Sequence, residues 1–257
     1  MTTNQPDAAA PSVGTLANVR IVLCRPTHPG NIGAVARAMK TMGLTRLTLV
    51  APRRFPAPEA SALAAGAEED VLERASVVAT LADAVQDCRL VMGCSARARR
   101  IGWPTLAPAD GAQRLLAAAV TGTAALVFGQ ERTGLTNDEL DRCHAVVTIP
   151  ANPEYPSLNL ASAVQVLAYE LRQRALAGEP EAGEEEAGGM PVTQDQLDLL
   201  YRHLEEVLVE IRFLDPANPR LLMRRLRRLF NRAGLDQNEL NILRGILTEV
   251  QRSLRNS

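Results

Sequence analysis

Three short runs hold most of the residues able to do chemistry, and they stand in one order along the chain. They are Asn31-Ile32-Gly33-Ala34-Val35-Ala36-Arg37, then Phe128-Gly129-Gln130-Glu131-Arg132-Thr133-Gly134-Leu135, then Ile149-Pro150 followed by Ser157-Leu158-Asn159-Leu160. Gly129 and Gly134 permit backbone turns closed to other residues, and such loops present amides and carbonyls to a ligand. Gly30 and Gly33 allow a tight turn beside Asn31, a candidate helix N-cap. Arg37 keeps its proton, its pKa lying above about 12, so it can orient an oxygen and stabilise negative charge but is a poor general base. Ser157 and Asn159 fall where a loop becomes a helix, and capping accounts for one of them.

What is missing narrows the chemistry. No Gly-x-Gly-x-x-Gly follows the first apolar run and no P-loop is present, which disfavours a dinucleotide and a nucleoside triphosphate. Cys24, Cys88, Cys94 and Cys143 contain no Cys-x-x-Cys pair, and His28, His144 and His203 are the only histidines that could join them. Zinc spacing is therefore absent, no metal is expected, and the thiols read as reduced and buried.

An alternation of strands and helices must position these groups. Apolar runs at Val19–Cys24, Leu47–Val50, Val77–Ala79, Leu90–Met92, Ala124–Phe128 and Ala145–Ile149 read as strands. Helical stretches lie at Ile32–Met42, Ala82–Gln86, Ala112–Val120 and Leu158–Ala175. Strands apolar on both faces and separated by helices predict an α/β domain, a parallel sheet of about six strands covered on both sides. Each chemical run falls where a strand meets a helix, so its polar groups gather at one sheet edge, where open α/β sheets bind ligands. Ile32, Val35, Ala36 and Met39 share the sheet-facing side of their helix, and Arg37 projects nearly opposite. The last helix of this part has Leu160, Val164, Leu167, Ala168 and Leu171 on one stripe and Ala163, Val166 and Tyr169 on another. It needs two partners, the sheet and a candidate second subunit.

The chain divides into a polar, Ala/Pro-rich lead-in (1–17), the α/β domain (18–176), a Gly-, Glu- and Pro-rich linker (177–191) and a small all-α C-terminal domain (192–257). The lead-in lacks a basic region followed by an apolar core, and no window approaches the roughly 18 apolar residues of a membrane helix. A cytoplasmic protein without membrane association is the expectation. The net charge is −1, but Glu179, Glu181, Glu184, Glu185 and Glu186 all sit in the linker, and setting these five aside moves the remainder to +4. Arginine supplies nearly all the positive charge and recurs after the predicted strands, at Arg25, at Arg53 and Arg54, at Arg97, Arg99 and Arg100, and at Arg132. Such a rim attracts a polyanion. In the C-terminal part Arg220, Arg224, Arg225, Arg227, Arg228 and Arg232 cluster with no acid among them, above a predicted inner stripe of Leu222, Leu226, Leu229 and Phe230. RNA contact through Arg224, Arg225 and Arg228 is the expectation.

In this order and spacing the three runs resemble the SPOUT class of knotted RNA methyltransferases that use S-adenosylmethionine, on the branch that methylates ribose 2′-hydroxyls. The resemblance covers about residues 18–175. Leu23-Cys24-Arg25-Pro26-Thr27-His28-Pro29-Gly30-Asn31, Ser95-Ala96-Arg97-Ala98-Arg99 and Ala151-Asn152-Pro153-Glu154-Tyr155 are similar to the bacterial group acting on the ribose at anticodon-loop position 32 of tRNA. That group also carries a helical extension after a linker. The resemblance implies a C-terminal trefoil knot and a homodimer. It implies S-adenosylmethionine held by Cys94, Ser95, Ala96, Gly129, Glu131, Ile149, Pro156, Ser157 and Leu158, with Glu131 also holding nearby arginines. Arg37 would be the essential catalytic residue, with Asn31, Ser157 and Asn159 beside it, and Arg25, Arg97 and Arg99 would handle tRNA. Relatives often carry Thr where this chain has Cys94; both side chains are small.

Other readings are a related enzyme for another tRNA site or ribosomal RNA, a catalytically silent RNA-binding protein on the same scaffold, and an enzyme for a small anionic metabolite. Intact Asn31, Arg37, Glu131, Ser157 and Asn159 speak against the silent protein. The small-metabolite reading leaves the basic C-terminal helix unexplained.

Overall fold

The computed structural model describes residues 12–96, 105–178 and 191–255. Its strands are β1 (Val19–Cys24), β2 (Arg46–Val50), β3 (Ser76–Val78), β4 (Cys88–Cys94), β5 (Thr105–Leu106), β6 (Thr123–Phe128) and β7 (Ala145–Val147). They form one seven-stranded sheet in the order β3-β2-β1-β6-β4-β7-β5. Every pairing is parallel. All the strands expected from apolar runs are present; β5 is two residues long, too short to leave a periodic signature.

Side chains alternate between two cores, as a sheet covered on both faces requires. Ile21 and Leu23 of β1 join one cluster with α1 (Pro29–Met42), α2 (Pro58–Ala64), α4 (Pro108–Thr121) and α6 (Leu160–Ala177). Val22 and Cys24 face the other, with α3 (Leu81–Val85) and α5 (Asn137–Leu140). The predicted inner face of α1 is fully buried at Ile32, Val35, Ala36 and Met39. Gly33 lets α1 lie directly on α2, since a Cβ there would fall 2.0 Å from the Ala60 carbonyl oxygen. Asn31 is not the N-cap of α1: His28 holds that position and Pro29 starts the helix, which frees the Asn31 side chain for another task.

The C-terminal elements are α7 (Gln194–Glu210), α8 (Leu222–Ala233) and α9 (Gln237–Arg255), around Leu197, Leu200, Tyr201, Val207, Leu240 and Leu247. The predicted stripe of α8 is only partly its inner face: Phe230 packs on the helical core, and Leu222 and Leu226 are half-buried. Leu229 is 46% exposed, and Asn231, at 0%, is the helix's one buried residue. The cause is the surface below it, where Asp141, Asp198 and Tyr201 present polar atoms that leucine could not satisfy. Among the described residues no helix is long and apolar enough to cross a membrane.

Candidate active site

The carboxyl ends of β4 and β6, the segment after β7 and the start of α6 surround a cleft of about 330 Å³. Cys94, Ser95 and Ala96 line one wall, Gly129 and Glu131 another, and Ile149, Pro156, Ser157 and Leu158 a third. These are the residues the resemblance assigns to the cofactor. Gly134 and Arg132, noted in the sequence for their turn and their charge, also line it, with Phe128, Gln130, Leu160 and Ala163, which sequence reasoning did not assign to the site.

Local bonds fix these walls. Ser95 N–H donates to the Val147 carbonyl at 3.1 Å, and the Thr148 hydroxyl donates to the Ser95 carbonyl at 2.8 Å. Gly134 N–H closes the turn after β6 on the Gln130 carbonyl at 2.8 Å. A side chain at Gly129 is excluded, because its Cβ would stand 2.0 Å from the Gly134 carbonyl carbon. The backbone itself therefore forms that part of the cleft. Burial pushes the Cys94 thiol up to about 12, so at neutral pH it is protonated and acts as a small apolar group.

Beside the cleft a carboxylate and two amides join three distant segments. Glu131 accepts from Thr27 N–H at 3.0 Å, the Thr27 hydroxyl at 2.8 Å, His28 N–H at 3.2 Å and the Asn31 amide at 3.1 Å. Partial burial opposes ionisation, but the bonds from Asn31 and Thr27 outweigh it and hold the carboxyl down at about 2. Glu131 is thus a permanent anion with its lone pairs engaged, unfit as a general base. The Asn31 carbonyl oxygen accepts from the Asn159 amide at 3.2 Å, and Asn159 caps α6 through Ala161 N–H at 2.9 Å. Capping therefore falls to Asn159, while Ser157 stands exposed at the rim of the cleft.

The arginines divide. Backbone, hydroxyl and amide donors engage Glu131 among the described residues. Arg25 pairs instead with Glu139, at 2.7 Å, from a left-handed backbone position (φ 50°) directly after β1. Arg37 is exposed, has no side-chain partner among the described residues and does not line the cleft of its own chain. Arg97 and Arg99 lie outside the described residues. Arg224 is held by Asp141, Arg225 is exposed, and Arg228 is half-buried.

A ligand cleft at the carboxyl edge of a parallel sheet, with a glycine turn for one wall, defines a class of α/β protein that binds a small molecule beside its strand ends. Residues 18–169 match the model of the SpoU rRNA Methylase family, and residues 195–257 match that of the tRNA methyltransferase TrmJ C-terminal domain. The chain is 52% identical to the tRNA (cytidine/uridine/adenosine-2′-O-)-methyltransferase TrmJ of Pseudomonas aeruginosa, over 93% of this chain and 96% of that protein. It is 51% identical to the tRNA (cytidine/uridine-2′-O-)-methyltransferase TrmJ of Pectobacterium atrosepticum, over 93% of this chain and 98% of that one. Among solved structures, TrmJ from Z. mobilis superposes with a TM-score of 0.78 at 35% identity, covering 91% of this chain and 100% of its own. The chain belongs to the SpoU methylase family, in its TrmJ branch.

Proposed function

We propose that this protein transfers a methyl group from S-adenosylmethionine to the ribose 2′-hydroxyl of the nucleotide at position 32 in the tRNA anticodon loop. The observation that carries the reading is the meeting of the three chemical runs at one sheet edge, where Asn31 bridges Glu131 and Asn159 beside the cleft. The identity to tRNA 2′-O-methyltransferases along nearly the whole chain supports it.

The cleft suits the cofactor. Its volume of about 330 Å³ falls within the size range of small-molecule sites. The Gly129 backbone stands where any side chain would intrude. Cys94, Ser95, Ala96, Gly129, Glu131, Ile149, Pro156, Ser157 and Leu158 would hold S-adenosylmethionine, which when bound supplies an electrophilic methyl group. Arg37 orients the ribose hydroxyl and stabilises the alkoxide developing there, because a guanidinium keeps its own proton. The proton leaves to water or to a substrate phosphate. Asn31 and Asn159 are positioning residues, keeping the start of α1 and the cap of α6 in register with the turn at Glu131.

Arg37 stands outside its own chain's cleft, so a second copy is the natural source of that guanidinium, and we infer a homodimer. Tyr169, at 48% exposure, and Leu176, at 57%, leave the outer side of α6 available for it. A cytoplasmic location follows from a tRNA substrate. The deciding experiment is transfer from labelled S-adenosylmethionine to unmodified tRNA, with the modified nucleotide mapped by mass spectrometry. Label on the ribose of nucleotide 32, absent with Arg37→Ala, is the expected result; label elsewhere, or none on any tRNA, would refute the assignment.

A further inference from the structure

The helix α8 turns a mostly polar face towards the end of α5. Its inward positions Arg224, Arg227, Arg228 and Asn231 follow the spacing of one helix face. They are polar, while Leu221 and Leu229 are 40% and 46% exposed. Arg224 grips Asp141 through both fork nitrogens, at 2.5 and 3.0 Å. Asp198 of α7 is shared between Arg227, at 2.9 Å, and Arg142, at 2.6 Å. Asn231 donates to the carbonyls of Asp141 and Cys143 at 3.3 and 3.4 Å and accepts from the Tyr201 hydroxyl at 2.6 Å. The helical part is therefore fastened to the end of α5 by carboxylate–guanidinium pairs and amide bonds, while Phe230 holds α8 to the helical core.

That fastening is incomplete. Arg228 Nε is buried with no hydrogen-bond partner among the described residues. A buried donor left unmatched is destabilising, and a dock able to open relieves that on opening. The pairs keep contact with solvent, with side-chain exposures of 28% and 11% for Arg224 and Asp141. Meanwhile Arg225 and Arg232 stand exposed on the outer side, and α8 contains no acid.

We propose that α8 exchanges partners: Arg224 and Arg227 hold Asp141 and Asp198 while RNA is absent, and hold RNA phosphates once tRNA is bound. A guanidinium fork fits a carboxylate and a phosphate equally well, so the exchange keeps each arginine paired throughout. The outer arginines meet the RNA first, and its field tips the inner ones across. The docked state then lowers apparent tRNA affinity by the fraction of molecules it occupies. This rests on the tRNA reading given above.

The test compares two variants that break the same ion pair. Asp141→Asn frees Arg224 for RNA, whereas Arg224→Ala undocks the helix and removes an RNA contact as well. Binding of an unmodified tRNA transcript to the full-length protein would be followed by fluorescence anisotropy at fixed salt. Asp141→Asn is expected to tighten tRNA binding by about three- to tenfold and Arg224→Ala to weaken it. Asp198→Asn, acting on the second pair, should also tighten it, and serves if the first variant folds poorly by circular dichroism. In the wild type, tRNA should speed amide hydrogen exchange at 141–143. Shifts in the same direction for Asp141→Asn and Arg224→Ala would show a pair that is structural only and overturn the proposal, leaving the enzyme reading intact. Failure of the wild type to bind any tRNA would remove both.

Discussion

Replacing Glu131 by glutamine tests whether the network beside the cleft sets the site. The side chain keeps its size, loses its charge and exchanges one acceptor oxygen for an amide donor. Of the present donors, Thr27 N–H and its hydroxyl could keep the remaining oxygen, leaving His28 N–H and the Asn31 amide facing another donor. A carboxyl held at about 2 against an ordinary 4.5 has its ionised form favoured by about 3.4 kcal/mol. Glu131 is only half-buried, so solvent screening leaves roughly 2 kcal/mol of that. If this energy serves to place Asn31 and Asn159, Glu131→Gln should lower kcat/KM for tRNA methylation by roughly 30-fold. The carboxylate is fully charged from pH 5 to 9, so wild-type and variant rates should run parallel across that range. Radiolabel transfer at several pH values, with melting temperatures in parallel, reads both effects. A variant within threefold of wild type, or a rate ratio that changes between pH 6 and 8, would refute the network's positioning role.

Further perturbations follow from the same structure. His144 is buried and accepts Val91 N–H on Nδ1 at 3.0 Å, and burial, with Arg114 nearby, presses its pKa from 6.5 to about 4. The folded state therefore refuses a proton that the unfolded chain accepts, so stability falls as pH drops from 6.5 towards 4, by up to about 3 kcal/mol. Urea titrations should show that slope in the wild type and its loss in His144→Asn, whose Oδ1 can still accept from Val91; equal slopes would exclude a buried neutral imidazole. Gly129→Ala must displace the turn at Gly134, so S-adenosylmethionine affinity by calorimetry should fall at least about tenfold, and unchanged affinity would mean the turn does not touch the cofactor. Arg37→Lys keeps the charge but not the planar fork, and a roughly 100-fold fall in kcat with unaltered cofactor affinity is expected. Retention of most activity would leave no need for guanidinium geometry.

Much of the fold was legible because its strands are apolar on both faces and its helices carry one clean stripe. β1 ends where the apolar run ends, at Cys24, and α6 is displaced by two residues at each end from the predicted Leu158–Ala175. Elements that escaped are short or unpatterned. α2 is an alanine-rich helix, Pro-Glu-Ala-Ser-Ala-Leu-Ala, whose burial depends on small size rather than on apolar spacing. The cleft walls were readable as motif residues, whereas the bonds among them were not. Asn31 looked like a cap because nothing local shows a partner 100 residues away. α8 misled for the opposite reason: its leucine spacing is sound, but helix orientation depends on what the neighbour offers, and Asp141 and Asp198 lie in other parts of the sequence. Asp141 carried no local signal of its own.

Asn31 touches Glu131 across 100 residues and Asn159 across 128. In the sheet, β6 slots between β1 and β4, so the first strand must wait for a neighbour about a hundred residues behind it. A nascent chain emerging from the ribosome therefore has α1 long before either of the partners that give Asn31 its place. Until Asn159 has cleared the exit tunnel the edge beside the cleft stays unassembled, and late, long-range closure of this kind slows folding. The price of drawing one site from segments so far apart is that synthesis must be well past its midpoint before any of it exists.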